Sequence, residues 1–314
     1  MASELHSNMS SAKAERIRAK RQQHAPDEHE LDLFLNAPSI PNDALASAGA
    51  HMRPDDVNGQ VERSRCNEEA DGQEFRGSAK TGALLPGMVL LKGFLSPQQQ
   101  QELVDDAQSL GLAEGGFYKP TYASGAKCRL HQMCFGRHWN VVTEQYESHR
   151  SNFDGAPAPM LPASWKLHAQ RSLAAATAID KQVLGTCQSA IPDICVVNFY
   201  KKAGRNGMHI DKDESAEAMA MGSPVISFSI GCAAEFAYID HYPEPHEAVP
   251  IVRLESGDVL VFGGPSRSVV HALTRVYSGT QPHWLHMRAG RLNLTFREFR
   301  PSEVAGSYTG VSGQ

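Results

Sequence analysis

The chain has 314 residues, 41% of them hydrophobic and 21% charged, with a formal net charge of −5 at pH 7. That length holds one large catalytic domain or two small ones. The acidic balance excludes a protein that coats nucleic acid through bulk positive charge, so any contact with nucleic acid has to come from a local patch.

In chain order, residues 1–80 offer little to build a core. Ser, Glu, Asp, Arg, Gln and Gly dominate, and the apolar content is concentrated in Leu31, Leu33, Phe34 and Leu35. Such a stretch cannot bury enough apolar surface to offset its ordering entropy and is predicted to be a largely disordered polar tail. Within it, residues 12–22 (AKAERIRAKRQ) read as a short basic helix, either merely solvated or serving as a nucleic-acid-binding arm or a targeting element. Residues 1–11 lack the apolar region of a secretory signal, and no run of eighteen apolar residues occurs, so neither export nor a membrane span is expected. The six cysteines, at positions 66, 128, 134, 187, 195 and 232, form no CxxC pairs. Reduced intracellular thiols are the expectation, in nucleus, cytoplasm or an organelle.

Order is expected from about Leu84. Residues 88–94 (MVLLKGF) read as a strand. Ser96-Pro97 is a helix start, because serine caps and proline fits the first turn; Leu103, Val104, Ala107 and Leu110 follow on one face and Gly111 is expected to stop the helix. A second helical stretch spans residues 162–179. From Pro192 the pattern changes to short runs rich in β-branched and aromatic residues: 194–200, 225–230, 235–239, 251–254, 258–262, 269–273 and 291–299. Such runs at roughly ten-residue spacing, with no helix between them, predict an antiparallel barrel or sandwich. The fold class is therefore α+β, with a polar tail over 1–80, one domain over 81–302 and a flexible tail over 303–314.

The sharpest chemical signal is His209-Ile210-Asp211. Read as an extended strand, the segment puts residues i and i+2 on one face, so one imidazole and one carboxylate can reach the same cation. His271, in the run 269–273, is the candidate third ligand, and two histidines with one carboxylate on one face of iron(II) leave positions open for a cosubstrate and dioxygen. With 14 histidines in the chain, HxD alone is also open to coincidence. The run GRLNLTFR, read with period two, puts Arg291, Asn293, Thr295 and Arg297 on one face. Inward-facing arginines are costly unless an anion neutralises them, and their forks suit carboxylates; 2-oxoglutarate, a dicarboxylate, would satisfy both. An edge strand with one wet face is the alternative. Asn198 and Tyr200 also share a strand face, able to donate to a carboxylate or to satisfy one another.

Together these motifs resemble the AlkB family. The matching blocks run NFYKKAGRNGMHIDKDE, PVISFSIG, LESGDVLVFGGPSR followed by His271, and GRLNLTFR, over residues 194–299, with weaker similarity back to about Leu85. The eukaryotic branch related to AlkB homologue 1 is nearest in wording. The resemblance implies a double-stranded β-helix (jelly-roll) fold that binds iron(II) and 2-oxoglutarate, uses O2, and oxidatively removes N-methyl groups from bases of DNA or RNA, flipped out or single-stranded, with release of succinate, CO2 and formaldehyde. It assigns the metal to His209, Asp211 and His271, and 2-oxoglutarate to Asn198, Tyr200, Arg291, Asn293 and Arg297. It gives Asp213 and Glu214 to base recognition, where a charged turn is the alternative. It places Trp139 on the flipped base, with Arg137 and Tyr146 beside it, in a lid over residues 117–153. Trp139 also fits a core anchor, and Lys127, Arg129 and Arg137 also fit a solvated loop. The lid and the insert 216–222 (AEAMAMG) depart from the bacterial pattern, which leaves the substrate open. Rival readings are a 2-oxoglutarate-dependent hydroxylase of a protein or small molecule, a silent nucleic-acid binder, and a cupin-like metal module. DNA versus RNA, the base, a repair or regulatory role, and the oligomeric state are not legible.

Overall fold

The computed structural model describes residues 80–181, 191–201, 206–212 and 214–299. The tail expected over 1–80, its basic helix and the C-terminal tail from 303 therefore lie outside the described residues, apart from Lys80.

Strands β1 (Gly82–Leu85) and β2 (Met88–Leu91) form a hairpin across Pro86-Gly87. Strand β2 ends earlier than the sequence suggests. Its run is broken at Lys92-Gly93 because the buried Asp258 carboxylate accepts from Lys92 Nζ at 2.6 Å, Gly93 N at 2.8 Å and Glu255 N at 2.6 Å. Helix α1 (Pro97–Leu112) starts where expected. Ser96 Oγ accepts from Gln99 N at 3.2 Å while Gln99 Oε1 accepts from Ser96 N at 2.8 Å, a reciprocal cap with proline at the first turn. Gly111 does not stop this helix but lies inside it, where a Cβ would sit 2.3 Å from the ring of Phe117. The residue is small because a buried aromatic side chain crosses it.

Next come β3 (His131–Phe135), the hairpin β4 (His138–Asn140) and β5 (Gln145–Glu147), and α2 (Ala163–Ile179), which follows Pro162. They are followed by β6 (Ile194–Tyr200), a single helical turn α3 (Ala216–Ala220) within the insert, β7 (Val225–Gly231), β8 (Ala234–Ile239), β9 (Ile251–Leu254), β10 (Val259–Phe262), β11 (Val270–Val276) and β12 (Arg291–Arg297). All seven runs read from the sequence are strands, within a few residues at their ends. Strands β1, β3, β4 and β5 were not among them.

Besides the two-stranded β4-β5 hairpin, two antiparallel sheets result, one of seven strands in the order β1-β2-β10-β7-β12-β6-β3 and one of three in the order β11-β8-β9. This is the jelly-roll arrangement. One face of the larger sheet carries the helices. Leu292, Leu294 and Phe296 of β12 point there, into a core with Leu103 and Val104 of α1 and Trp165 and Leu173 of α2. The other face meets the smaller sheet, through Leu90, Leu260 and Phe262 against Phe236, Val252 and Leu254. Each such fully buried side chain contributes about 1.5–3 kcal/mol. Strand β12 thus lies between β6 and β7 with neither edge free, and all seven of its residues are buried. Its polar alternate face is therefore not a wet one but is directed between the sheets.

Gly111→Ala is expected to destabilise by about 1–3 kcal/mol in urea unfolding, against the usual gain of alanine over glycine in a helix, because the added methyl displaces the Phe117 ring. A stabilised variant would contradict that packing.

Candidate metal centre

His209-Ile210-Asp211 is not a strand. Residues 206–212 run alongside the start of β11 and are held to it at two points. Asn206 N donates to Leu273 O at 3.0 Å, and the Asn206 side-chain carbonyl accepts from Leu273 N. His209 and His271 then exchange two main-chain hydrogen bonds, of 3.0 and 2.9 Å, in an isolated antiparallel bridge. That bridge sets the two imidazoles side by side, with ring centroids 4.4 Å apart. Asp211, two residues on, brings its carboxylate to the same point.

The ligand atoms of His209, Asp211 and His271 all lie within 4.8 Å of one another. His209 Nε2 is 3.8 Å from Asp211 Oδ1 and His271 Nε2 is 4.0 Å from Asp211 Oδ2. The opposite ring nitrogens face carbonyls, His209 Nδ1 at 2.9 Å from Gly207 O and His271 Nδ1 at 3.1 Å from Val269 O. A proton on each Nδ1 would satisfy those carbonyls and turn both Nε2 lone pairs toward the carboxylate, as metal-ligating histidines require. Burial pushes the His271 imidazole down to about 4, against the pull of Asp211, so the ring is neutral at pH 7. Phe236 stacks on it at 5.2 Å and Phe262 meets it edge-on at 5.4 Å. Burial works to raise the Asp211 carboxyl, but Arg297, then His271 and His209, outweigh it and hold it well below the usual carboxylate range. Two imidazole nitrogens and one anionic oxygen converging on a point fit a divalent metal with its remaining positions open.

The two arginines of β12 sit in opposite circumstances. Arg297 donates to Asp211 Oδ2 at 2.6 Å and to the Tyr146 hydroxyl at 3.2 Å, and its Nε, which makes no hydrogen bond, forms an ion pair with Glu214 Oε1 at 3.0 Å. Arg291 is only 2% exposed, yet among the described residues no carboxylate pairs with it. It donates to Ser229 Oγ at 3.0 Å and lies 5.9 Å from the Tyr200 ring, while its Nε has no hydrogen-bond partner. Burial lowers it to about 10. A cation buried with an orphaned donor fits an anion that binds in the cleft.

The cleft is lined by Asn198, Tyr200, His209, Asp211, His271, Arg291, Asn293 and Arg297. Thus the metal candidates and all five residues expected to bind 2-oxoglutarate come together. Asn293 does so with its amide donors already committed, to Ser227 Oγ at 2.8 Å and Phe228 O at 2.9 Å. Sequence reasoning missed Asn206, Ser227 and Ser229. The serines had a signal, since VISFSIG places them at alternate positions of an otherwise apolar strand.

The substrate candidates fare unevenly. Trp139 and Tyr146 pair across the β4-β5 hairpin with ring centroids 5.2 Å apart, and Tyr146 reaches the centre through Arg297. Arg137 lies 4.3 Å over the Phe299 ring, which itself packs on Tyr146. Glu214 does not face the cleft mouth as a base-reading carboxylate would. It is buried and bonded by Arg267 Nη2 at 2.6 Å, so its charge is already answered. Asp213 lies outside the described residues.

A family model described as the 2OG-Fe(II) oxygenase superfamily matches residues 87–297. The DNA N(6)-methyladenine demethylase ALKBH1C of Arabidopsis thaliana is 44% identical over 224 residues, covering 68% of this chain and 49% of its own length. ALKBH1D of the same plant, described in the same words, is 40% identical over 243 residues, covering 74% of this chain and 54% of its own. The chain thus spans about half the length of these curated relatives. The solved structure of OsALKBH1 is similar with a TM-score of 0.62 and 39% identity, covering 69% of this chain and 99% of that one.

Arg291→Met is expected to leave the cosubstrate-free protein as stable or up to about 2 kcal/mol more stable in urea unfolding, because an unanswered buried charge is replaced by an apolar chain. Loss of more than about 2 kcal/mol would show that Arg291 is already neutralised in the fold.

Proposed function

The chain belongs to the AlkB-like branch of the 2OG-Fe(II) oxygenase superfamily, and from that premise we propose that it is an iron(II)- and 2-oxoglutarate-dependent demethylase of N-methylated nucleobases, housed in one domain over residues 81–302. What carries the reading is a His-Asp-His cluster in the same cleft as a buried arginine lacking a carboxylate. N6-methyladenine in DNA is the first substrate to test, because two relatives bear that activity in their names.

Iron(II) and 2-oxoglutarate, when bound with dioxygen, supply the oxidising chemistry, in which the cosubstrate becomes succinate and CO2 and the N-methyl group is hydroxylated and leaves as formaldehyde. The chain's own residues do the rest. His209, Asp211 and His271 hold the metal, each imidazole steered by the carbonyl behind it. Arg291 receives a terminal carboxylate of the cosubstrate, beside the Tyr200 hydroxyl and the Asn198 amide. Burial raises the Tyr200 phenol, which therefore keeps its proton and remains a donor. Arg297 keeps Asp211 ionised and fixes its orientation. Phe236 and Phe262 wall off water behind His271. The hairpin with Trp139 and Tyr146 forms one wall for the base, and a base ring on an aromatic face gains about 1–3 kcal/mol without any sequence code. Because a stacked base is out of reach of a recessed metal, a flipped or single-stranded nucleotide is the substrate form. The buried, unpaired Cys134, Cys195 and Cys232 support a reducing intracellular compartment. No helix among the described residues is long and apolar enough to cross a membrane.

The test is release of formaldehyde and succinate with iron(II), ascorbate and 2-oxoglutarate on single-stranded, bulged and duplex DNA and RNA, each with one methylated base. Paired release on one oligonucleotide is expected, falling to background in His209→Ala and Asp211→Ala. Full activity in either variant would overturn the metal assignment. Succinate without formaldehyde on any oligonucleotide would move the substrate outside nucleic acid.

A further inference from the structure

Arg267 has no role in the chemistry described so far, yet it is only 3% exposed and touches the centre. It caps the 3₁₀ turn Gly264–Ser266, between β10 and β11. That turn is held from two sides, since Ser266 Oγ donates to Pro86 O at 2.7 Å and Gly264 N donates to Gly222 O at 2.9 Å. From this fixed base the guanidinium reaches two acceptors. Its Nη1 donates to the main-chain carbonyl of Asp211, and its Nη2 donates to Glu214 Oε2 at 2.6 Å. The other oxygen of Glu214 is 3.0 Å from Arg297 Nε, and Arg297 Nη2 returns to Asp211 Oδ2 at 2.6 Å. These contacts close a ring in which two guanidinium groups alternate with two acidic residues, the link from Arg267 to Asp211 being made at the main-chain carbonyl. It joins three segments, namely the turn before β11, the stretch bearing Asp211 and Glu214, and β12.

Building on the metal-centre reading above, we propose that Arg267 is the positioning residue of that centre, fixing Asp211 by its main-chain carbonyl and, through Glu214, seating Arg297 on its carboxylate. The ligand stretch needs such a device. Its pairing to β11 is made at Asn206 and His209, and Asp211 lies beyond both. The main chain alone would leave the carboxylate of a non-strand residue free to swing, whereas a metal site tolerates errors of about 0.5 Å in ligand placement. Arg267 removes that freedom at the main-chain carbonyl of Asp211. Glu214 acts with it. Lying between the two guanidinium groups, it ties Arg297 to Arg267, so Arg297 stays on Asp211. This also accounts for a buried glutamate in the DKDE block.

A planar fork satisfies two acceptors at once, and the single ammonium of lysine does not. Lysine at this position therefore keeps the charge opposite Glu214 while giving up the geometry. Cobalt(II) is the probe, because its visible absorption reports the arrangement of its ligands as well as occupancy. Parent protein, Arg267→Gln, Arg267→Lys and the control His271→Ala are titrated with cobalt(II), with circular dichroism and thermal unfolding of the metal-free proteins establishing that each is folded. Arg267→Gln is expected to bind cobalt(II) about 10- to 100-fold more weakly, the usual loss when a group behind a metal ligand is removed. Arg267→Lys is expected to fall between it and the parent, with an altered spectrum. A folded Arg267→Gln with the parent's affinity and spectrum would overturn the proposal. Where Arg267→Gln does not fold, Arg267→Lys decides, and an unchanged affinity and spectrum there would overturn it equally. A parent protein that binds no cobalt(II), or a His271→Ala variant that binds it undiminished, would instead remove the metal centre on which the proposal stands.

Discussion

Two hydrogen bonds between the main chains of His209 and His271 are what the centre hangs on. They join a stretch with no regular structure of its own to a strand of the smaller sheet, and so bring into contact side chains 62 positions apart in sequence. Because the bridge is made by backbone groups, the imidazoles remain free to turn toward Asp211, each held by a carbonyl at its far nitrogen. The sandwich serves this contact. Phe236 and Phe262 come from opposite sheets and pack on His271, so the spacing of the sheets fixes the depth at which the ring lies.

Strand β12 shows how one segment serves stability and chemistry together. Its odd and even positions bury opposite faces, with Leu292, Leu294 and Phe296 in the main core and Arg291, Asn293, Thr295 and Arg297 between the sheets. Two arginines six residues apart on the same face are treated differently. Arg297 is surrounded by Asp211, Glu214 and the Tyr146 hydroxyl, and these partners hold its proton more firmly than in water. Arg291 has a serine and the face of a phenol. The cost of burying it is borne by the apolar half of the same strand, which is why so poor an electrostatic position persists at the middle of a seven-stranded sheet.

The later part of the chain was legible because its runs obey period two and are separated by turns, so β6 to β12 could be read within a few residues. The polar face of GRLNLTFR and the pair at His209 and Asp211 carried the site in the same way. What escaped was set by distant partners. Strand β3, HQMCF, has polar residues at its start and is a strand only because it pairs with β6, more than sixty residues away. Gly111 reads as a helix stop until the Phe117 ring is placed against it. Glu214 reads as a charged turn residue because nothing local reveals Arg267, 53 positions later, behind it. Each of these depends on a contact between remote segments, and such contacts leave no period in the sequence.

The solitary position of Arg291 has a consequence for how the proposed enzyme would be throttled. A guanidinium that grips one terminal carboxylate cannot tell which dicarboxylic acid carries it. Succinate, formed from 2-oxoglutarate by loss of a single carbon at the opposite end, keeps the very carboxylate that Arg291 would hold. In the proposed enzyme the spent acid would therefore compete for the same cradle as the fresh one, and turnover would follow the ratio of the two acids in the surrounding medium. A guanidinium buried with no carboxylate beside it among the described residues would thus make the proposed enzyme sensitive to the balance of those two acids.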